Sequence, residues 1–152
     1  MTKLAIEKPK FGELTQVASD LYWAHFELPF RLNHVNLFLM DTPKGFLILD
    51  AGLKSDHSEE HWTTLIDGPL KSKKFAGLLI THYHPDHIGM AGWLQKKLDI
   101  PSYTTEKELF TAKTFRSMPD DKYAEIFRNV FVRAGMSEED IIAKGPATRL
   151  YK

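Results

Sequence analysis

Apolar positions in the first half of the chain recur at every second residue, the period of a half-buried strand. LYWAHFELPF, beginning at Leu21, alternates in this way and stops at Pro29. HVNLFLMDTPKGFLILDAGL holds two apolar runs, Val35 to Met40 and Phe46 to Leu49. Asp41, Pro43 and Gly45 between them are turn residues, so the runs are predicted to form an antiparallel hairpin.

The period then lengthens. SDHSEEHWTTLIDGPL opens on Ser55 as a capping residue, places Glu59 and Glu60 in the early turns, spaces Trp62, Leu65 and Ile66 as one helical face, and stops at Gly68-Pro69. The apolar run FAGLLIT, Phe75 to Thr81, follows. Strand, helix and strand in this order predict a parallel crossover. IGMAGWLQKKL reads as a second helix and IPSYTT as a short strand. Beyond Thr105 the texture is helical: EKELFTAKTFRSM and DDKYAEIFRNVFVRAG are parted by Pro119, and SEEDIIA adds a short third piece. Residues 1–104 thus form a sheet-and-helix part and 105–152 a helical extension of the same domain, without internal repeat or low-complexity segment.

Composition narrows the chemistry. A chain of 152 residues, 43% hydrophobic, is long enough for one core. Twenty basic residues balance twenty acidic ones with no long single-sign block, so neither a nucleic-acid partner nor a membrane surface is expected, and a small molecule is the expected substrate. The charged N-terminus lacks the apolar core of a signal peptide, which makes a cytoplasmic location the default. Cysteine is absent, which leaves any metal to imidazole and carboxylate.

Those groups concentrate in THYHPDHIG, Thr81 to Gly89. The stretch begins where a predicted parallel strand ends, the usual place for a site in an open α/β sheet. His82 and His84 are two residues apart and can project to one side of an extended segment, and Pro85 keeps a helix from running through them. Asp86 and His87 fall at the turn into the next helix, where Gly89 and Gly92 would permit close backbone packing. Imidazole and carboxylate suit zinc, iron or manganese, and two pairs of ligands from one turn could serve two adjacent ions.

This H-x-H-x-D-H stretch resembles the signature of the metallo-β-lactamase fold hydrolases, and FLILDAGL resembles the strand of that family that ends in Asp-x-Gly. The resemblance runs from about Val35 to Tyr103. It implies the N-terminal half of an αββα sandwich and hydrolysis of an ester, thioester, lactone or other substrate by metal-bound hydroxide. His82 and His84 would ligate one Zn2+ and Asp86 and His87 a second, Fe or Mn being alternatives, with Asp86 as the catalytic carboxylate. Asp50 would support the histidine loop from behind; its alternative role is to cap the turn at Gly52.

The family also draws ligands from the C-terminal half of its sandwich, whereas no histidine follows His87 here. Asp99, Asp120, Asp121 and Asp140 remain, in helical or loop contexts that suit solvated surface. The chain is therefore expected to be a truncated part of the enzyme, completed by a complementing C-terminal half or by a homodimer. A carbonyl substrate is preferred because the phenylalanine-bearing helices suit an acyl group. The alternatives are a non-catalytic interaction domain of the same fold and a diiron redox relative.

The remaining histidines call for blander readings. His57 and His61 match H-x-x-E-H, yet fit a polar helix face opposite Trp62 and Ile66. His34 could border a pocket, and His25 reads as a core or edge residue. Tyr22, Tyr83 and Trp93 are expected in the core more than in a pocket.

Overall fold

The structure, a computed structural model, describes residues 6–29 and 31–143. It is mixed α/β, with the order β1 (Leu14–Ala18), β2 (Leu21–Glu27), β3 (His34–Thr42), β4 (Gly45–Leu49), α1 (Asp56–Asp67), β5 (Phe75–Leu79), α2 (Pro85–Ile88), α3 (Ala91–Leu98), β6 (Ser102–Tyr103), α4 (Glu106–Ser117), α5 (Asp120–Arg133) and α6 (Glu138–Ala143). The described residues fall into two compact units that divide between Glu108 and Leu109. No helix among them is long and apolar enough to cross a membrane.

In the first unit, six strands lie side by side in sequence order; β1 to β4 are antiparallel and β4, β5 and β6 parallel. The β3–β4 hairpin closes where Thr42 pairs with Gly45, and the Thr42 hydroxyl donates to the Gly45 carbonyl at 2.6 Å. Gly45 is required there: its φ is 116° and a Cβ would lie 2.6 Å from the Lys74 carbonyl oxygen. The chain then crosses over through α1, whose N-cap Ser55 accepts from the Ser58 amide, and returns as β5.

Pairing assigns the two faces. Ala24, Phe26, Val35, Leu37, Leu39, Phe46, Ile48 and Leu78 share one face and are all buried. Trp62 of α1 meets Phe26 edge-on at 5.1 Å and donates its indole N–H to the Ala51 carbonyl at 2.7 Å. Such a ring pair adds about 0.5–1.5 kcal/mol to the burial of its area. On the opposite face a row runs across five strands through Trp23, Phe38, Leu49, Leu79 and Tyr103. This second face is apolar but incompletely covered: Leu79 is 37% exposed and Tyr103 52%.

The second unit is helical. Phe115, Tyr123, Phe127 and Phe131 form a chain of ring contacts 4.5 to 6.4 Å apart, so these aromatics pack on one another. Arg128 grips Glu138 with two bonds, of 2.5 and 3.1 Å, joining α5 to α6.

Two expectations are corrected, and one element was not expected. Leu14–Ala18 is a strand that the apolar pattern did not announce. The single helix expected over IGMAGWLQKKL is two, α2 and α3, because the Met90 amide turns aside to the Gly52 carbonyl at 3.1 Å; Asp86 and His87 consequently lie within α2. Close packing needs only one of the two glycines. A Cβ at Gly89 would fall 2.4 Å from the Lys54 nitrogen, whereas one at Gly92 would meet nothing within 4 Å.

Candidate metal centre

The parallel strands β4 and β5 deliver two loops to the same edge of the sheet, Asp50 to Leu53 and Thr81 to His84. Backbone bonds join the first loop to its surroundings: Asp50 N–H donates to the Leu79 carbonyl at 2.8 Å and Ala51 N–H to the His87 carbonyl at 2.7 Å. Asp50 adopts φ 66°, a left-handed conformation that costs a non-glycine residue about 1–3 kcal/mol and persists only where its surroundings hold it.

The hold comes from its carboxylate, on a side chain 8% exposed. The Thr81 amide donates to Asp50 Oδ1 at 2.7 Å, the Thr81 hydroxyl to Oδ2 at 2.8 Å, and His87 Nδ1 lies 2.8 Å from Oδ2. Burial opposes the ionised form, but the bonds from His87 and Thr81 outweigh it and hold the carboxyl below its ordinary pKa. The same bond raises the pKa of His87 against the effect of its burial. Asp50 thus reaches the histidine loop itself, not the turn at Gly52.

Proton counting extends the network. The one hydroxyl proton of Thr81 is spent on Asp50, so the hydroxyl can only accept from His82 Nδ1, 2.9 Å away. His82 is then protonated on Nδ1, and His87 likewise donates Nδ1–H to Asp50. In the neutral form of each ring Nε2, the atom a metal would use, keeps the lone pair. Burial first, then the charges of His87 and His84, lowers the pKa of His82 and favours the neutral ring.

The three rings are close, His82 to His87 at 4.0 Å and His82 to His84 at 4.6 Å between centroids. Asp86 Oδ2 lies 3.5 Å from His87 Nε2. In kind, these donors fit a borderline cation such as Zn2+. In number they are incomplete: among the described residues, no three His, Asp or Glu side chains are arranged to hold an ion together.

The other histidines lie elsewhere. His25 is buried at 2% exposure, with Phe11 stacked on it at 4.6 Å and His34 at 4.7 Å. Neither His25 nitrogen has a hydrogen-bond partner. Burial, then the charges of Lys8 and His34, lowers its pKa to about 4. His61 is half-buried between Phe11 and Phe26, with Nε2 unpartnered, so it does not belong to a polar face. His57 pairs instead with Glu27. Tyr22 packs on Phe46, and Trp93 lies under Lys97.

Sequence reasoning missed two contributors. Thr81 was visible at the head of the motif but carries its role only through Asp50, 31 residues away. Glu108 accepts from the Tyr83 amide at 2.9 Å and gave no local signal.

Comparison with known proteins bears on the family and the fold. The family model described as the metallo-beta-lactamase superfamily matches residues 31–148. The chain is 29% identical to ribonuclease J of Helicobacter pylori (strain ATCC 700392 / 26695) over 113 residues, covering 70% of this chain and 16% of that protein. It is 32% identical to exodeoxyribonuclease YycJ of Bacillus anthracis over 83 residues, 55% of this chain and 30% of that protein. A solved beta-lactamase domain protein from Burkholderia ambifaria superposes with TM-score 0.70 at 30% identity, over 78% of this chain and 38% of that one. The chain therefore spans a minor part of each.

Proposed function

Since the chain belongs to the metallo-beta-lactamase superfamily, we propose that it carries the first metal ligands of a metal-dependent hydrolase acting on an ester, thioester, lactone or similar carbonyl substrate. His82 and His84 would hold one ion and Asp86 and His87 a second. Proteins of this fold bind metal ions, typically zinc; Zn2+ is the proposed ion here, with iron or manganese as substitutes. When bound, such ions act as Lewis acids on the scissile group and make water a competent nucleophile near neutral pH.

The chain's own residues supply the preparation. Asp50 sets the orientation of His87 directly and of His82 through Thr81. The Asp86 carboxylate lies 3.5 Å from His87 Nε2 and would accept the proton released when water acts as the nucleophile. The observation that carries the reading is the Asp50 network, because it selects the tautomer that leaves two neighbouring Nε2 lone pairs.

The further ligands are proposed to come from a complementing C-terminal half that seats on the apolar row from Trp23 to Tyr103. The support is the exposure of that row and the minor share of each relative that the chain spans. A homodimer is the competing arrangement, and a monomer at micromolar concentration in analytical ultracentrifugation would dismiss it.

A second reading, phosphodiester hydrolysis, is favoured by the names of the relatives, ribonuclease J and exodeoxyribonuclease. The rings from Phe115 to Phe131 pack on one another, which accounts for their apolar character without an acyl group. The test is turnover by the zinc-loaded protein together with its complementing half, offered a nitrophenyl ester, a thioester, a lactone and bis(p-nitrophenyl) phosphate. Carbonyl turnover that disappears in His84→Ala is the expected result. Turnover of the phosphodiester alone would replace the substrate class, and turnover retained in His84→Ala would overturn the site.

A further inference from the structure

Thr105 and Glu108 stand at the start of α4 in the spacing of a capping box, T-x-x-E. The Thr105 hydroxyl accepts from the Glu108 amide at 3.3 Å, as that motif requires. Its second half would return the Glu108 carboxylate to the backbone N–H of Thr105. Here the carboxylate reaches across 25 residues of chain and accepts from the Tyr83 amide at 2.9 Å.

Tyr83 is the residue between His82 and His84. β5 ends at Leu79, so sheet pairing does not define this segment, and its two rings must stay on one side of an extended backbone to act as a pair. Asp50 and Thr81 fix the segment before His82, and α2 begins at Pro85 after His84. The Tyr83 peptide is the link between those anchors. An amide bonded to a carboxylate is a charge-assisted contact, stronger than one between neutral groups.

We propose that Glu108 is a positioning residue for the metal loop, its carboxylate clamping the Tyr83 peptide so that His82 and His84 face one ion. The proposal rests on the metal reading above for its purpose, although the clamp can be measured without metal. It also gives the first turn of α4, the part that belongs to the first unit, a task at the site.

The test follows the Tyr83 amide by hydrogen exchange, and Zn2+ affinity by competition with a chelating dye, in the wild type, Glu108→Ala, Glu108→Gln and Glu106→Ala. Glutamine keeps an acceptor oxygen, and Glu106→Ala removes a neighbouring charge while leaving the clamp in place. Glu108→Ala should speed Tyr83 exchange at least about 10-fold and weaken Zn2+ binding about 10-fold, the lower end for residues that orient ligands. Glu108→Gln should restore most of both, and Glu106→Ala should alter neither. Unchanged Tyr83 exchange in Glu108→Ala would overturn the clamp. Faster exchange with unchanged Zn2+ affinity would overturn its positioning role. A wild type that binds no Zn2+, yet whose Tyr83 protection depends on Glu108, would remove the metal reading and leave the clamp standing.

Discussion

The first unit holds two histidine clusters with opposite wiring. Around His82, His84 and His87, two of the rings have Nδ1 engaged by a neighbour that is itself anchored, Thr81 or Asp50. Around His25, His34 and His61 the only such bond among the described residues is between His34 Nδ1 and the exposed Asn33 at 2.9 Å; His25 and His61 stack on Phe11, and both nitrogens of His25 and Nε2 of His61 are buried without partners. Proximity is similar, with centroids 4.0–4.6 Å apart in the first and 4.7 Å for His25 and His34 in the second. The proposed ligand set is thus the cluster in which a buried carboxylate orders two rings, whereas at His25 and His61 burial disfavours protonation.

The contrast can be broken most decisively by removing its rings. His82→Ala or His84→Ala should reduce Zn2+ binding by at least about 100-fold, whereas His25→Phe should leave it unchanged in equilibrium dialysis. Equal losses would erase the distinction.

The next effect belongs to the second cluster. The pKa of His25 is depressed to about 4, so its contribution to stability is present above the unfolded value near 6.5 and is lost as pH falls from there through about 4. The loss is on the order of 3 kcal/mol at 1.36 kcal/mol per pKa unit. Urea unfolding of His25→Phe, which keeps the stack on Phe11, should show a shallower fall in stability over that range. An unchanged pH dependence would mean that His25 gains a partner when protonated.

Asp50→Asn sharpens the other side. It keeps the shape but cannot accept from both Thr81 and His87 as the carboxylate does, and should lower Zn2+ affinity 10–100-fold, measured by dye competition. The smallest effects are expected at the H-x-x-E-H residues. His57→Ala loses an exposed ion pair and should change stability by no more than about 1 kcal/mol, and His61→Leu should leave metal content untouched.

Much of the first unit was legible in the sequence because its signals are local. Pro43 and Gly45 announced the hairpin, Ser55 capped α1, and the H-x-H-x-D-H spacing marked the loop after β5. The failures share a physical cause, which is dependence on a distant partner. The apolar residues of β1, Leu14, Val17 and Ala18, do not alternate, and the strand is defined by its pairing with β2. The break between α2 and α3 is set by Gly52, and the role of Glu108 by Tyr83. His61 looked polar beside Glu60 but is covered by Phe11 and Phe26 from other elements. For the candidate site, the sequence displayed the donors, while the order imposed on them by Asp50 required the fold.

Only the Asp50-wired cluster is proposed as a ligand set. Titration of the protein with Zn2+, followed through the imidazole 15N resonances, tests it most directly. Large shifts are expected at the Nε2 atoms of His82 and His87 and at the ring of His84, with His25, His34 and His61 unmoved. Shifts confined to the second cluster, or equal in both, would contradict it.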